Sequence, residues 1–161
     1  MKVTIREGDT LFYFSRLFDV PLPLVLASNP TVNTEQLEIG QKVSIPGYVK
    51  QTLTIKKGET FWGIATERHI PLDALSLMNP ESDPYHLKDG EAIYVPIRVN
   101  RPIVKHREPY DYATMLKDIN RLQAVYPFVR QQSIGRSVLG KSIPEITIGQ
   151  GSRVLHLDGA F

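Results

Sequence analysis

The sequence contains no cysteine, so the chain forms no disulfide and offers no thiolate ligand to a metal ion. No apolar run approaches the roughly 20 residues that a membrane-spanning helix needs, and the first residues, MKVTIREGDT, lack the basic and apolar regions of a secretory signal. Lys and Arg form no run, although residues 101–161 carry nine basic and five acidic side chains. We therefore expect a globular protein that is made in the cytoplasm, shows no export signal, and has neither nucleic acid nor a membrane as its partner.

An internal repeat organises the first part of the chain. Shifting the sequence by 50 residues aligns residues 3–46 with 53–96 without an insertion. The shared positions include turn and capping residues as well as apolar ones, so each copy is expected to be one small structural unit. Each copy opens and closes with a short alternating run and has two helical segments between them. The pattern predicts an α+β fold with two strand-helix-helix-strand modules, at 1–48 and 49–98.

Several residues are expected to set helix boundaries and core faces. Asp9 or Thr10 is predicted to cap the first helix of copy one, and Asp73 the second helix of copy two. The Asn-Pro pairs at 29–30 and 79–80 are predicted to end the second helices, because a residue before proline is pushed out of the helical region. Apolar residues at helical spacing predict the buried face of the first helix. They are Leu11, Phe14 and Leu17 or Phe18 in copy one, and Phe61, Ile64 and Ala65 in copy two.

Both copies share a set of short motifs: GDTL or GETF after the first strand, NP after the second helix, and L-x-x-G followed by a V-x-I-P or I-x-V-P strand. These motifs resemble the LysM domain. The resemblance implies binding of N-acetylglucosamine glycans such as peptidoglycan or chitin, in a shallow groove between the loop after strand one and the loop before strand two. Carried over by position, the groove residues are Gly8, Asp9, Thr10, Leu11, Asn29, Pro30, Thr31 and Val32 in copy one, and Gly58, Glu59, Thr60, Phe61, Asn79, Pro80, Glu81 and Ser82 in copy two.

Such loops suit an amino sugar. An acetamido group needs one donor and one acceptor, which loop amides and carbonyls supply, and an apolar wall for its methyl group. Gly8 and Gly58 let the backbone come close to a ligand. Two alternatives stay open: the glycines and Asn-Pro pairs serve only as turn formers, and Trp62, the only tryptophan, stacks on a sugar or fills the small core. Two weak sites on one polymer can raise avidity by roughly 10² to 10⁴ fold.

The rest of the chain follows a different pattern. We interpret 47–52 as a short linker between the modules, and 99–108 as a basic linker with two prolines. Beyond it, helical spacing and then strand-like runs indicate an incomplete α/β segment at 109–161. The predicted elements are a helix over 112–126 that Pro127 ends, strands at 128–134 and 143–148 around the turn SVLGK, and a closing strand at 153–161 covered on both faces.

This third segment resembles the beginning of the zinc carboxypeptidases of the carboxypeptidase A type. The resemblance rests on Tyr112 with its helix, on Tyr126-Pro127, on IGRSVLGKSI, where the family shows I-G-x-S-x-x-G-R/K-x-I, and on LHLDGAF. In that family an H-x-x-E motif with two zinc ligands follows such a strand, and here it would fall beyond Phe161. The resemblance therefore implies no catalytic and no metal-ligating residue in these 161 residues, and zinc only in a longer parent protein.

The histidines and isolated carboxylates give no metal site of their own. No two of the histidines have the i, i+4 or H-x-x-E relation of a metal pair, and each is expected to be an ordinary surface or core residue. Glu145 is likewise unpaired, and Asp158 is expected to be solvated or structural rather than an outer partner of a metal ligand. The four histidines are His69, His86, His106 and His156.

LysM modules followed by a zinc carboxypeptidase-like segment resemble the bacterial γ-D-glutamyl-diaminopimelate endopeptidases, which cut the stem peptide of peptidoglycan. The resemblance implies that this chain is a monomeric, non-catalytic part that binds peptidoglycan or a chitin-like polymer, and that it holds a zinc peptidase at the cell wall or spore peptidoglycan. A second hypothesis is a stand-alone, non-enzymatic glycan-binding protein. A third is that the modules only pack and bind nothing.

Overall fold

The computed structural model describes residues 1–104, 110–149 and 155. Strand, helix, helix and strand occur twice in succession, and this order confirms the predicted α+β class and the two modules. A longer helix and a hairpin follow. The elements of the described residues are β1 (Lys2–Thr4), α1 (Leu11–Leu17), α2 (Leu22–Ala27), β2 (Lys42–Ser44), β3 (Tyr48–Thr54), α3 (Phe61–Arg68), α4 (Leu72–Met78), β4 (Ala92–Arg98), α5 (Tyr112–Val125), β5 (Val129–Arg136) and β6 (Ser142–Ile148).

Each module is a two-stranded antiparallel sheet covered by its two helices. Strand β1 pairs with β2, with Val3 opposite Val43, and β3 pairs with β4, with Leu53 opposite Ile93. The helix faces predicted from spacing are confirmed, with Phe18 rather than Leu17 as the fully buried member. The most buried core side chains are Phe14, Val25, Val43 and Ile45 in the first module and Ile55, Phe61, Leu75, Ile93 and Val95 in the second.

Threonine, not aspartate, caps the first helix of the first module. The Thr10 hydroxyl accepts a hydrogen bond from the backbone N–H of Tyr13 at 2.9 Å, and Thr60 accepts one from Gly63 at 3.1 Å. Each threonine has extended backbone, as an N-cap residue requires. The two modules therefore start their first helices in the same way, directly after the turn that contains the predicted glycan-binding residues.

A buried asparagine joins the second helix of each module to its last strand. The Asn79 side-chain amide donates to the carbonyls of Leu75 and Tyr94, each at 2.8 Å, and its oxygen accepts from the Tyr94 N–H at 2.7 Å. Asn29 makes the same three bonds, to Val25 and Ser44. The Asn-Pro pairs thus end the helices, as predicted, and also satisfy backbone groups that the helix end and the strand leave unpaired.

Two expectations about the second module were wrong. Asp73 does not cap α4, because Pro71 occupies the cap position and no side chain bonds the helix start. Asp73 lies in the first helical turn and points at the first module, where it accepts hydrogen bonds from Arg6 and Tyr13. The supposed linker at 47–52 is mostly strand β3, because its residues pair with the far end of β4.

The two modules share apolar core. Ala74 and Leu77, both on α4, belong to the apolar cluster of the first module, and Ile70 packs against the clusters of both. The ion pair between Arg98 and Asp19, at 2.8 Å, also crosses between the modules. Because α4 contributes side chains to the cores of both modules, the modules form one packed unit rather than two independent domains joined by a flexible linker.

The third segment has the predicted helix and hairpin. Helix α5 begins at the Asp111 N-cap, and β5 pairs antiparallel with β6 with an irregularity between Ser133 and Gly135. The end of α5 meets the modules where the Gly47 N–H donates to the Val125 carbonyl at 2.9 Å. The predicted closing strand at 153–161 lies outside the described residues except for Leu155, which is exposed. The predicted linker at 99–108 is described as far as residue 104, without a helix or strand beyond β4.

Replacing Asn79 by alanine should destabilise the second module. The change leaves one buried carbonyl and a half-buried carbonyl and N–H without partners, and we expect a loss of about 1–3 kcal/mol in the free energy of unfolding. Urea unfolding followed by circular dichroism measures this loss. Asn29→Ala should act similarly, and Asn120→Ala, at an exposed position of α5, is the control. Equal midpoints for Asn79→Ala and Asn120→Ala would contradict the structural role of the buried carboxamide.

Candidate functional site

In each module, the turn after the first strand and the last residues of the loop before the second strand lie at the same end. Strand β1 ends where β2 begins, because the two strands are antiparallel, so the loop after β1 and the loop before β2 meet at one edge. Two backbone bonds tie the edge together: the Gly40 N–H donates to the Ile5 carbonyl at 2.9 Å, and the Ile5 N–H to the Gln41 carbonyl at 2.8 Å. The second module repeats them through Gly90, Ile55 and Glu91.

Glycine is required in the first loop by its backbone conformation. Gly8 has a φ of 79° and Gly58 a φ of 87°, in the left-handed region that other residues avoid. A Cβ added at either position would meet nothing within 4 Å, so the surface above both glycines is open. Both glycines are exposed. The loops thus present open backbone at the point where the resemblance places an amino sugar.

The acidic residues of the first loop close the turn themselves. The Asp9 carboxylate accepts hydrogen bonds from the Arg6 N–H at 2.9 Å and the Arg6 Nε at 3.1 Å, and its side chain is only 7% exposed. The Glu59 carboxylate accepts from the Lys56 N–H at 2.7 Å. These carboxylates shape the loop, so the groups left to face a ligand there are mainly backbone ones.

The second loop begins with buried residues and continues with exposed ones. Asn29 and Asn79 are buried and use their side chains within the protein. A turn follows in each module, closed by bonds from the Val32 N–H to Asn29 and from the Ser82 N–H to Asn79. Val32 also packs on the core. The exposed members of the predicted set in this loop are Pro30, Thr31, Pro80 and Glu81.

The loop before the last strand is held by different hydrogen bonds in the two modules. In the second module the Glu91 carboxylate accepts hydrogen bonds from the Ser82 hydroxyl at 2.7 Å and the Lys88 N–H at 3.0 Å. The bond from Lys88, followed by the bond from Ser82, lowers the pKa of Glu91. The first module has Gln41 at the equivalent position, and the Gln41 side-chain oxygen is buried without a hydrogen-bond partner in the described part of the chain. The two candidate sites are therefore not identical.

An exposed aromatic residue stands beside each loop. Leu11 and Phe61, the first residues of α1 and α3, are buried core, but the next residues, Phe12 and Trp62, are 63% and 70% exposed. Trp62 therefore does not fill the core, which leaves the sugar-stacking alternative for it. Phe12 was missing from the predicted set. The repeat could have revealed it, because residues 12 and 62 are both aromatic and follow equivalent buried residues.

A charged network touches the first loop of the first module. Arg6 binds Asp73 through two hydrogen bonds, Nη1 to Oδ1 at 2.9 Å and Nη2 to Oδ2 at 2.6 Å, and the Tyr13 hydroxyl donates to Asp73 Oδ2 at 2.6 Å. The bonds from Arg6 are the main cause that lowers the pKa of Asp73. The bond to Asp73 raises the pKa of Tyr13.

The described residues do not form a zinc site. Within residues 1–104, 110–149 and 155, no three His, Asp or Glu side chains group together as metal ligands. His69 ends α3 in a left-handed conformation, and His86 lies 2.9 Å from Asp83. His106, His156 and Asp158 lie outside the described residues. The donor set described here does not fit the zinc that the carboxypeptidase resemblance implies, and no catalytic step follows from it.

The comparisons with known proteins agree with this architecture. The family model of the LysM domain matches residues 3–46 and 53–96. These ranges run from the first to the last strand of each module and cover more than half of the chain. The chain therefore belongs to the LysM domain family. No helix in the described part of the chain has the length and apolar character needed to cross a membrane.

A longer relative matches the chain over its whole length. It is the γ-D-glutamyl-L-diamino acid endopeptidase 1 of Lysinibacillus sphaericus, 56% identical over 161 residues. The match covers 100% of this chain and 41% of that protein, so the chain spans well under half of its relative.

Two solved structures, both of the spore cortex-lytic enzyme SleL, also match. The Bacillus megaterium QM B1551 enzyme is 26% identical, with 62% of this chain and 23% of that chain covered and a TM-score of 0.29. The Bacillus cereus enzyme is 22% identical, with 60% and 22% covered and a TM-score of 0.27.

Protonation of Asp73 should weaken the fold in acid. Its pKa is lowered in the folded protein, so it contributes stability above the unfolded value of about 3.9 and loses it as the pH falls through the lower folded value. Asp73→Asn should therefore reduce the difference in urea midpoint between pH 7 and pH 3. Asp89→Asn, in the exposed loop before β4, is the control. An unchanged pH dependence in Asp73→Asn would disprove the contribution of this carboxylate.

Proposed function

We propose that the chain binds N-acetylglucosamine-containing glycans, peptidoglycan in particular, through the paired loops of its two modules. The observation that carries the proposal is the LysM match over both modules. The open loop backbone at Gly8 and Gly58 supports it, because it offers donors and acceptors for an acetamido group. The exposed Phe12 and Trp62 add an apolar wall for a pyranose face.

The packing of the modules affects how a polymer is bound. Each module has a small core and a shallow loop surface, so a single site is expected to bind weakly. Because α4 packs into the first module, the two sites keep a fixed relation. A glycan that fits this relation binds the second site without the cost of ordering a flexible linker, and avidity rises. A glycan that does not fit gains nothing from the second site.

The third segment extends the proposal to a longer protein. The match to the endopeptidase covers the whole chain and therefore includes residues 109–161. Together with the carboxypeptidase-like motifs, this match supports a longer parent protein in which two LysM modules hold a zinc peptidase on cell-wall or spore peptidoglycan. In that parent the peptidase cleaves the γ-D-glutamyl-diaminopimelate bond. In this proposal residues 1–161 supply targeting, act as a monomer and contribute no catalytic group or metal ligand.

Binding to insoluble peptidoglycan tests the main proposal. The 161-residue chain should sediment with purified peptidoglycan, and soluble chitin oligomers should release it, because they compete for the same acetamido-binding loops. Cellulose of similar particle size is the control, since its glucose units lack the acetamido group. Retention that chitin oligomers leave unchanged, or equal retention on cellulose, would reject glycan recognition through these loops.

The exposed aromatic residues should contribute to affinity in their own modules. Stacking of an aromatic ring is worth about 0.5–1.5 kcal/mol, so Trp62→Ala should weaken sugar binding at the second module by about 2- to 12-fold. Phe12→Ala should do the same at the first. Isothermal titration with a chitin tetramer measures both effects. Leu139→Ala, which truncates an exposed apolar side chain in the distant hairpin turn, should change nothing. If Trp62→Ala matches Leu139→Ala, the stacking role is wrong.

A further inference from the structure

Asp73 connects the second module to the sugar loop of the first. The Arg6 guanidinium lies between two carboxylates: its Nε and Nη2 donate to Asp9 at 3.1 and 3.2 Å, and its Nη1 and Nη2 donate to Asp73 at 2.9 and 2.6 Å. Asp9 in turn accepts the Arg6 N–H and donates its own N–H to the Arg6 carbonyl at 3.2 Å. Asp73, on α4, is therefore linked through Arg6 to Asp9, a predicted glycan-binding residue.

Within the described residues, the first loop of the second module has no such connection. The position equivalent to Arg6 is Lys56, whose side chain makes no ion pair within the described part of the chain. The positions equivalent to Tyr13 and Asp73 are Gly63 and Pro23, which cannot make the phenol or carboxylate contacts. The network is thus a feature of one loop only and does not belong to the repeat.

We propose that Asp73 is a positioning residue for the glycan loop of the first module, and that it makes the first site the more pre-organised of the two. This inference rests on the proposed glycan binding. With Asp73 in place, Arg6 holds Asp9 and the turn at Gly8 in one conformation, so a sugar has less loop motion to restrict on binding. By reciprocity, a glycan bound at the first loop strengthens the contact between the modules.

A titration with two internal reporters tests this role. The ¹⁵N-labelled 161-residue chain is titrated with the N-acetylglucosamine tetramer, and the amide signals of Gly8 and Gly58 report the two loops separately in one sample. Asp73→Asn should weaken binding at the Gly8 loop by about 3- to 10-fold, the range of one or two lost hydrogen bonds. Binding at the Gly58 loop should be unchanged. Tyr13→Phe, a milder change that removes only the phenol bond, should weaken the Gly8 site less.

The chain provides a matched control. Arg98→Ala breaks a second ion pair between the modules, with Asp19, but touches neither loop, so it should leave both affinities unchanged. If Asp73 only stabilised the contact between the modules, Arg98→Ala would act in the same way as Asp73→Asn. Equal effects of these two variants, or no change at Gly8 in Asp73→Asn, would overturn the inference.

A measurement without sugar separates this inference from the proposed function. Hydrogen exchange of the Asp9 amide should be faster in Asp73→Asn than in the unmodified chain, because Asp73 fixes the Arg6 side chain that also bonds Asp9. Exchange should be unchanged in Arg98→Ala, because Arg98 pairs with Asp19 and not with Arg6. Exchange that is equal in all three proteins would overturn the positioning role. If neither glycine signal responds to the tetramer in the unmodified chain, glycan binding by these loops is rejected, and the exchange rates alone decide whether Asp73 orders the loop.

Discussion

The buried carboxamide at the end of the second helix is the interaction on which each module depends. A module of this size has a sheet of only two strands, and its helices are six to eight residues long, so packing alone gives them little support. Asn29 and Asn79 join the helix end to the last strand through three bonds each. The same residues start the second loop, so the element that stabilises the module also fixes one wall of the candidate site.

The small size of each module's apolar core explains why the two modules pack against each other. Ala74 and Leu77 are buried in the cluster of the first module, so α4 adds apolar burial to a domain that has little of its own. The network of Arg6, Tyr13 and Asp73 covers the edge of this contact, where the Arg6 and Asp73 side chains are each 39% exposed. Charges at such an exposed edge contribute less to stability than burial does. Their stronger consequence is geometric, because they fix the loop that carries Asp9.

The repeat made much of this structure predictable. Turn glycines, Asn-Pro pairs and apolar spacing are local signals, and they located the elements and core faces of both modules; a similar local pattern located α5. The errors arose where the copies differ. Asp73 was predicted to be a helix cap because capping can be inferred from neighbouring residues. Its actual partner, Arg6, is 67 residues away in the sequence. The start of β3 was predicted to be a linker because its partner strand, β4, is also distant in the sequence. The assignment of individual glycan contacts remains a prediction.

The loops of the candidate site belong to the two modules and not to the third segment. No described residue beyond Ile97 belongs to either module core. The hairpin of β5 and β6 exposes Ile134, Val138, Leu139 and Ile148, and a two-stranded hairpin with so much exposed apolar surface has little stability of its own. The two loops and their aromatic neighbours are therefore ordered by residues 1–98 alone. Glycan recognition can then be separated physically from whatever chemistry a longer protein adds, which is the arrangement expected of a targeting unit.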